Sequence, residues 1–482
     1  MRWRATAAAP RTAADPNRAA DGRREIVHRA DMRGAYDARV TSLPASPRLT
    51  RRQRLAAFGR TRRGLVTGFV AFHAAYILAL LPLIIAGGTE GDLPLYRQWA
   101  QDAVQGTWPI IDFEWVYPAG ALLPIVAPIA LGPYLYQLLW LLMLAGANWL
   151  ALAAIAGGRL QRRSAYPAAW YWLLSILLLA PVSMLRLEGV AAPLAIAGLV
   201  WVARRPVVAG ALIALATWIK VWPAAIAAAV VAVCRSRWWV ALGGIAASAV
   251  IMIAVVLAGG ASNLFSFLTI QGTRAPQLEA PVATPWVWAT IWEMPGARIQ
   301  QNYELATREV IGHGAMAAGE VVGWLMIAAF AAIALLLVRA RMTWVAGAQR
   351  AELAEGRLVV LGAFALTAAL IVFNKVGSPQ YMLWLAPIVV VGLLVDPDRW
   401  RTPAKWMAVT SFLTTLVFPI FYMPLVHADP FAASLLLARN VLLVALFVWS
   451  IQALWRVAVP RAARNISVPL PRPALSPVSD PA

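Results

Sequence analysis

The chain has 482 residues, of which 61% are hydrophobic and only 13% are charged, and its mean hydropathy is +0.67. Polar side chains cannot cover so much apolar surface, so the composition excludes a soluble globular fold. The net charge of +20 comes mainly from arginines in the N-terminal tail and in short loops between apolar runs, which favours anionic lipid headgroups over nucleic acid as partners.

The chain begins with residues 1–64, which are rich in Arg, Ala, Pro and Asp, and this composition predicts a disordered basic cytoplasmic tail. We expect a transmembrane domain over 65–460 and a disordered Pro- and Ser-rich tail over 461–482. Apolar stretches of roughly 17 to 25 residues can each cross a bilayer as a helix. The predicted spans lie near 65–87, 134–157, 165–182, 189–203, 206–219, 222–234, 238–260, 317–338, 358–374, 380–395, 403–422 and 431–455. The predicted fold class is an all-α polytopic integral membrane protein with about twelve transmembrane helices.

The charge of the loops predicts the side of the membrane on which each loop lies. If the short apolar stretch 118–131 does not cross, all the basic loops fall on one side together with both tails. If it does cross, the basic loop at 159–163 moves to the opposite face, so the first layout fits better. Both termini are then cytoplasmic, and the long loops 88–117 and 261–316 are external. Abundant Ala and Arg with only three Lys suggest a high-GC bacterial genome, so we expect the bacterial inner (plasma) membrane.

Carboxylates gather in the first external loop, as Glu90, Asp92, Asp112 and Glu114. A carboxylate at the membrane surface can act as a general base, bind a metal ion or accept a hydrogen bond from a sugar hydroxyl. The alternative is that these acidic residues only solvate a polar loop. Composition alone favours that alternative.

Four cations lie at predicted external helix ends or in external loops, namely Arg186, Lys220, Arg274 and Lys375. Cations there run against the positive-inside bias, and an anionic ligand such as a lipid phosphate would explain them. The alternative is that they reach towards the interface, or pair with Glu188 and Glu279.

Polar and aromatic side chains accompany these cations. Asn374, Gln380, Gln277 and Tyr381 could hydrogen-bond sugar hydroxyls, and the alternative is that they cap helices and satisfy loop backbone. Tryptophans at 286, 288 and 292 could stack on a sugar face or form an interfacial aromatic belt.

The motifs that contain these residues resemble, in the same order, those of bacterial glycosyltransferase family 87. They are Asp92-Leu-x-x-Tyr96, Asp112-Phe-x-x-x-Tyr117-Pro118, Arg186-Leu-Glu188, Trp218-Ile-Lys220-Val-Trp222-Pro223, Arg274-x-x-Gln277-x-Glu279 and Asn374-Lys375-x-x-Ser378-Pro379-Gln380-Tyr381. The resemblance covers residues 65–400. The family commonly has Tyr-Pro-Pro where this chain has Tyr117-Pro118-Ala119, which is a small departure.

The resemblance implies a GT-C fold and transfer of a sugar, with mannose favoured, from a polyprenyl-phosphate-sugar donor. It implies that Asp92 is the catalytic residue. The residues expected to contact donor or acceptor are Tyr96, Asp112, Glu114, Tyr117, Arg186, Glu188, Lys220, Arg274, Gln277, Glu279, Asn374, Lys375, Ser378, Gln380 and Tyr381. The acceptor would be a cell-envelope glycolipid or polysaccharide.

No cofactor is expected, because the lipid-linked sugar is a co-substrate. No obligatory metal ion is expected either, although the acidic first loop leaves metal binding open as an alternative. Cys234 is the only cysteine, which excludes an intrachain disulfide and a cysteine metal site, and no Gly-rich nucleotide loop occurs in the sequence. A secondary transporter or flippase is the main alternative, since about twelve helices also suit a transporter. A non-catalytic membrane scaffold is the third, and it leaves the external cations and carboxylates unexplained.

Overall fold

The structure is a computed structural model that describes residues 50–269, 274–303, 307–345 and 351–458. The predicted tails therefore lie mostly outside the described residues. The chain divides into two compact units, 1–58 and 59–482. Helix α1 (Arg51–Gly59) covers nearly all of the described part of the first unit, and it buries none of its side chains.

The second unit is a bundle of helices, and a helix lies at each of the twelve predicted spans. In chain order they are α2 (Arg62–Ala79), α3 (Leu81–Ile85), α4 (Leu93–Val104), α5 (Leu122–Val126), α6 (Tyr136–Ala156), α7 (Tyr166–Leu178), α8 (Ala180–Met184), α9 (Glu188–Trp201), α10 (Pro206–Ile219), α11 (Pro223–Val233), α12 (Arg237–Leu257), α13 (Ser266–Thr269), α14 (Thr284–Ile291), α15 (Ala315–Val345), α16 (Ala351–Val372), α17 (Met382–Val395), α18 (Pro397–Thr415), α19 (Tyr422–Val426) and α20 (Pro430–Ala458). Helix α9 lies near the centre and contacts α6, α10 and α17.

Five helices among the described residues are long and apolar enough to cross a membrane, which confirms the membrane character of the chain in part. They are Pro133–Ala156, Arg237–Leu257, Ala315–Met342, Glu355–Val372 and Pro430–Ala458. Helices α12 and α15 leave most of this apolar surface uncovered, with Ile245 66% and Leu335 71% exposed. Such surface needs a lipid environment or a partner. The count of twelve spans stays a prediction.

Three predicted spans are interrupted rather than continuous. Span 65–87 breaks between α2 and α3, where Pro82 follows the break, and span 165–182 breaks in the same way before Pro181. Span 403–422 is kinked within Leu416–Ile420, where Phe418 has extended rather than helical backbone angles and Pro419 follows it. Proline lacks the N–H that an unbroken helix requires, which explains all three interruptions. The stretch 118–131 is a series of short turns and the five-residue helix α5.

The described residues are mostly helical, which agrees with the predicted all-α class, and the large loop 261–316 contains the one small sheet found among them. This loop contains an antiparallel hairpin of β1 (Arg298–Asn302) and β2 (Thr307–Ile311) as well as α13 and α14. Both strands are short and mostly polar, and within them only Glu309 and Val310 of β2 are buried. The first loop, 88–117, likewise contains helix α4.

Close helix contact depends on small residues between α10 and α12. A Cβ atom built on Gly210 would lie 1.9 Å from the carbonyl oxygen of Val240, and one on Gly243 would lie 1.9 Å from that of Val207. Only glycine permits backbones to approach this closely, as in many membrane helix pairs.

Candidate functional site

Asp92 lies immediately before α4 and is the centre of a cluster formed by helix ends. Its Oδ1 atom forms an ion pair with Nη2 of Arg186 at 3.3 Å, and the hydroxyl of Tyr96 donates to its Oδ2 atom at 3.4 Å. Arg186 lies in the turn between α8 and α9. The Asp92 side chain remains 28% exposed, so a substrate can reach it.

Burial raises the pKa of Asp92, and the nearby Arg186 guanidinium opposes this rise. A carboxyl group whose pKa moves towards the operating pH is a better general base than an ordinary surface aspartate.

A second ion pair joins Lys220, between α10 and α11, to Glu188 at the start of α9. The Lys220 Nζ atom lies 3.3 Å from Oε1 of Glu188 and 4.2 Å from the centre of the Tyr117 ring. The Glu188 side chain is 1% exposed and the Lys220 side chain 16% exposed. Pairing with Glu188, one of the two alternatives for the cations that were predicted to be external, therefore occurs at Lys220.

The turn before α17 joins the same cluster. Nη1 of Arg186 and the hydroxyl of Ser378 both donate to Oε1 of Gln380. The Arg186 guanidinium also lies 5.5 Å from the centre of the ring of Phe418, the residue at the kink after α18. Tyr381, next to Gln380, packs its ring 3.9 Å from that of Trp384. The structure thus brings the first loop, the turn before α9 and the turn before α17 together in one cluster.

Aromatic side chains of the first loop pack behind Asp92. The rings of Tyr96 and Tyr117 lie 6.2 Å apart, and those of Trp115 and Tyr117 lie 5.4 Å apart. Tyr96 and Trp115 are buried. This packing fixes the direction of α4 and hence the position of Asp92 at its start.

Asp112 and Glu114 are exposed and take no part in the described cluster. The Asp112 carboxylate accepts a hydrogen bond from the backbone N–H of Trp108 at 2.6 Å, which closes a local turn. For Asp112, the structure therefore fits the prediction of a local polar loop residue better than the prediction of a substrate-binding residue beside Asp92.

Glu279 forms a separate buried centre with Arg439 of α20. The nearest guanidinium nitrogen lies 3.6 Å from the Glu279 carboxylate and donates to the Glu279 backbone carbonyl at 2.9 Å. Burial raises the pKa of Glu279 to about 7 despite this cation. Arg439 was not predicted as a site residue. The signal was present, since it is the only charged residue in the predicted span 431–455.

Gln277 and Asn374 hold loop backbone in place. Oε1 of Gln277 accepts from the Gly377 N–H at 3.1 Å, and the Gln277 N–H donates to the Lys375 carbonyl at 2.8 Å. Oδ1 of Asn374 accepts from the Val376 N–H at 2.9 Å. In the structure these side-chain amides thus accept hydrogen bonds from loop backbone N–H groups, which was the alternative to binding sugar hydroxyls.

Arg274 keeps unused hydrogen-bonding capacity. Its buried Nε atom has no hydrogen-bond partner among the described residues. Within the described ranges, no group of three or more His, Cys, Asp or Glu side chains could hold a metal ion. Metal independence stays a prediction.

Comparison with known proteins adds no relative to this picture. No protein family, no curated protein and no solved structure matches the chain. The functional argument therefore depends on the geometry of the site and on the sequence motifs.

Proposed function

We propose that the chain is a membrane glycosyltransferase that moves a sugar, with mannose favoured, from a polyprenyl-phosphate donor to a cell-envelope glycolipid or polysaccharide. In this proposal the fold is GT-C-like and similar to family 87, and the site faces the external side of the bacterial plasma membrane with both termini cytoplasmic. The observation that carries it is a partly exposed carboxylate, Asp92, that forms an ion pair with Arg186 and lies within electrostatic range of Lys220, with both cations at the ends of apolar helices.

The proposed reaction is a single displacement at the anomeric carbon. Asp92 accepts the proton of an acceptor hydroxyl, and that oxygen bonds to the anomeric carbon from the face opposite the phosphate. The bond between the anomeric carbon and the phosphate oxygen breaks, and polyprenyl phosphate leaves with the bonding electrons. The product therefore has inverted configuration.

Arg186 and Lys220 would stabilise the negative charge that grows on the departing phosphate. Each has hydrogen-bond donors beyond those used in the described contacts: a guanidinium carries five N–H groups and an ammonium three. Only stabilisation that is larger in the transition state than in the bound substrate accelerates the step.

An apolar groove offers a path for the prenyl chain. It has a volume of about 370 Å³, lies between α10, α11 and α12, and includes Trp218, two residues before Lys220. Its polar side chains are satisfied, since the Trp218 Nε1–H donates to Ser248 and the Thr217 hydroxyl donates to the Ile213 carbonyl. A pure hydrocarbon chain suits such a surface.

The test is sugar transfer by purified protein in lipid nanodiscs, with radiolabelled polyprenyl-phosphate-mannose and a membrane glycolipid pool. Loss of a general base typically lowers the rate about 100- to 10,000-fold, so Asp92→Asn should lose transfer by that factor. Asp102→Asn, on the same helix α4, is the matched control and should keep the wild-type rate.

Transfer that survives in Asp92→Asn would refute Asp92 as the base. Absence of transfer from every polyprenyl-phosphate sugar tried, together with passage of a lipid or solute across the bilayer, would replace the enzyme by the transporter or flippase.

A further inference from the structure

The Arg186 side chain is held by two other parts of the chain as well as by Asp92. Its Nη2 atom pairs with Oδ1 of Asp92 at 3.3 Å, and its Nη1 atom donates to Oε1 of Gln380. The guanidinium also lies 5.5 Å from the centre of the Phe418 ring, and the side chain is only 15% exposed. Because a guanidinium is planar and its N–H groups have fixed directions, these contacts define its orientation.

Gln380 is itself held in place by its own turn. The hydroxyl of Ser378 donates to the same Oε1 atom, and the N–H of Tyr381 donates to the Ser378 carbonyl at 3.1 Å. Arginine has no acceptor, so the Gln380 atom that faces it must be the amide oxygen and not the nitrogen. Both lone pairs of that oxygen are then used, so it has none left for a sugar hydroxyl.

Three carboxylates compete for the charge of Arg186. Besides Asp92, both Glu188 and Glu279 lie within electrostatic range of the guanidinium, and each of these two also has a cation of its own. A guanidinium that is free to turn would be shared among the three carboxylates. A guanidinium tethered to Gln380 stays on Asp92.

The position of Arg186 controls the ionisation of Asp92. Burial raises the pKa of Asp92, and the Arg186 guanidinium is the strongest of the influences that lower it. The other titratable groups that face this carboxyl are Glu188, Lys220 and Tyr96. Among these neighbours, Arg186 is the one that hydrogen-bonds to Gln380, so a change at Gln380 reaches Asp92 through Arg186.

We propose that Gln380 is a positioning residue that holds the Arg186 guanidinium against Asp92. It acts through Arg186 and does not bind the substrate with its amide oxygen. Its role in sugar transfer rests on the proposed function, whereas its effect on the Asp92 carboxyl does not. The link joins the turn before α17 to the start of α4.

The test measures the pKa of Asp92 from its carboxyl infrared band, in full-length protein in nanodiscs, as the difference between each protein and its Asp92→Asn counterpart. Gln380→Met has a similar volume but offers Arg186 no amide oxygen. It should raise the pKa of Asp92 by about 0.5–1 unit, a part of the roughly 1–3 units that an adjacent cation supplies. Gln105→Met makes the same change at an exposed position just after α4 and should leave this pKa unchanged.

A second background separates positioning from a merely structural role. In Arg186→Gln the charge that Gln380 positions is absent, so adding Gln380→Met should not raise the pKa of Asp92 further. A turn that was simply loosened would shift this pKa in both backgrounds.

Transfer kinetics supply the readout under the proposed function. Gln380→Met should lower kcat about 10-fold, the size expected for one hydrogen bond to a charged group, and leave KM nearly unchanged. The acidic limb of the pH profile of kcat should move to higher pH together with the pKa of Asp92.

The proposal fails if the pKa of Asp92 is unchanged or lowered in Gln380→Met, or if it rises equally in the Arg186→Gln background. A raised KM with an unchanged kcat would make Gln380 a sugar-binding residue instead. The expected pKa shifts without any sugar transfer would support the positioning role and refute only the proposed enzyme.

Discussion

Replacing Lys220 with Met should strongly destabilise the protein, because it removes the ion-pair partner of a buried carboxylate. The Glu188 side chain is 1% exposed, and neither of its oxygens accepts a hydrogen bond within the described residues. Its charge therefore depends on the Lys220 ammonium at 3.3 Å.

The distance sets the size of the effect. At 3.3 Å the two charges attract each other by about 5 kcal/mol with an effective dielectric constant of about 20. Desolvation offsets much of this attraction, but removing one partner leaves the other charge buried and unpaired, which costs about 3–5 kcal/mol. Replacing both partners by uncharged groups of similar volume is often close to neutral.

The assay is equilibrium unfolding in mixed micelles with increasing SDS, applied to a double-mutant cycle. Lys220→Met and Glu188→Gln should each lower the free energy of unfolding, and the double variant should recover most of the loss. Lys405→Met removes an exposed lysine of α18 and is the control, with an expected change within about 0.5 kcal/mol.

Additive single-variant effects, with no recovery in the double variant, would show that the pair is not coupled and would refute the reasoning. So would a Lys220→Met protein as stable as the Lys405→Met control.

Two further predictions concern the large loop. Burial raises the pKa of Glu279 from 4.5 to about 7 against the effect of Arg439, so the stability due to its protonation is complete below about pH 4.5 and lost as the pH rises through about 7. One pKa unit corresponds to about 1.4 kcal/mol, so the loss of unfolding free energy amounts to about 3 kcal/mol. Thermal unfolding in detergent between about pH 5 and 8 should show this loss in the wild type but not in Glu279→Gln. An equal dependence of stability on pH in the two proteins would contradict the prediction. Gly377→Ala should lower the free energy of unfolding by about 1–3 kcal/mol, because the new Cβ would lie 2.2 Å from the Ala280 backbone nitrogen. Gly356→Ala is the control and should not lower it, because its nearest neighbour would lie at 3.5 Å. Equal unfolding free energies for the two variants would refute this packing.

The sequence predicted the helical, membrane-type fold because apolar length and loop charge are local properties. It also selected Asp92, Arg186, Lys220 and Gln380 as residues of one face, and the structure brings them together. It could not predict which acid pairs with which cation. The ion pairs join residues that are distant in the sequence, with 160 positions between Glu279 and Arg439.

The misses have equally physical causes. The hairpin in the large loop depends on pairing with loop backbone, since Leu278 donates to the Arg308 carbonyl and Val310 donates to that of Pro276. Arg439 lies in an otherwise apolar span. Apolar length alone predicted the helix, and it gave no indication that Arg439 pairs with Glu279. Asp112 shares a motif with Tyr117, but its carboxylate accepts a hydrogen bond from the backbone N–H of Trp108 in the same turn.

Under the proposed function, ion pairing and phosphate binding are not exclusive roles for the cations. Asp92 with Arg186, and Glu188 with Lys220, give the site two positive and two negative side chains, so the resting site is neutral overall. A neutral cluster lets the chain place charge at the ends of apolar helices without leaving any charge buried alone. When Asp92 accepts the proton of the acceptor hydroxyl, it loses its negative charge just as negative charge grows on the phosphate. Arg186 is thereby released from its partner in the same step in which the leaving group needs it, which is how one ion pair could stabilise the transition state more than the bound substrate.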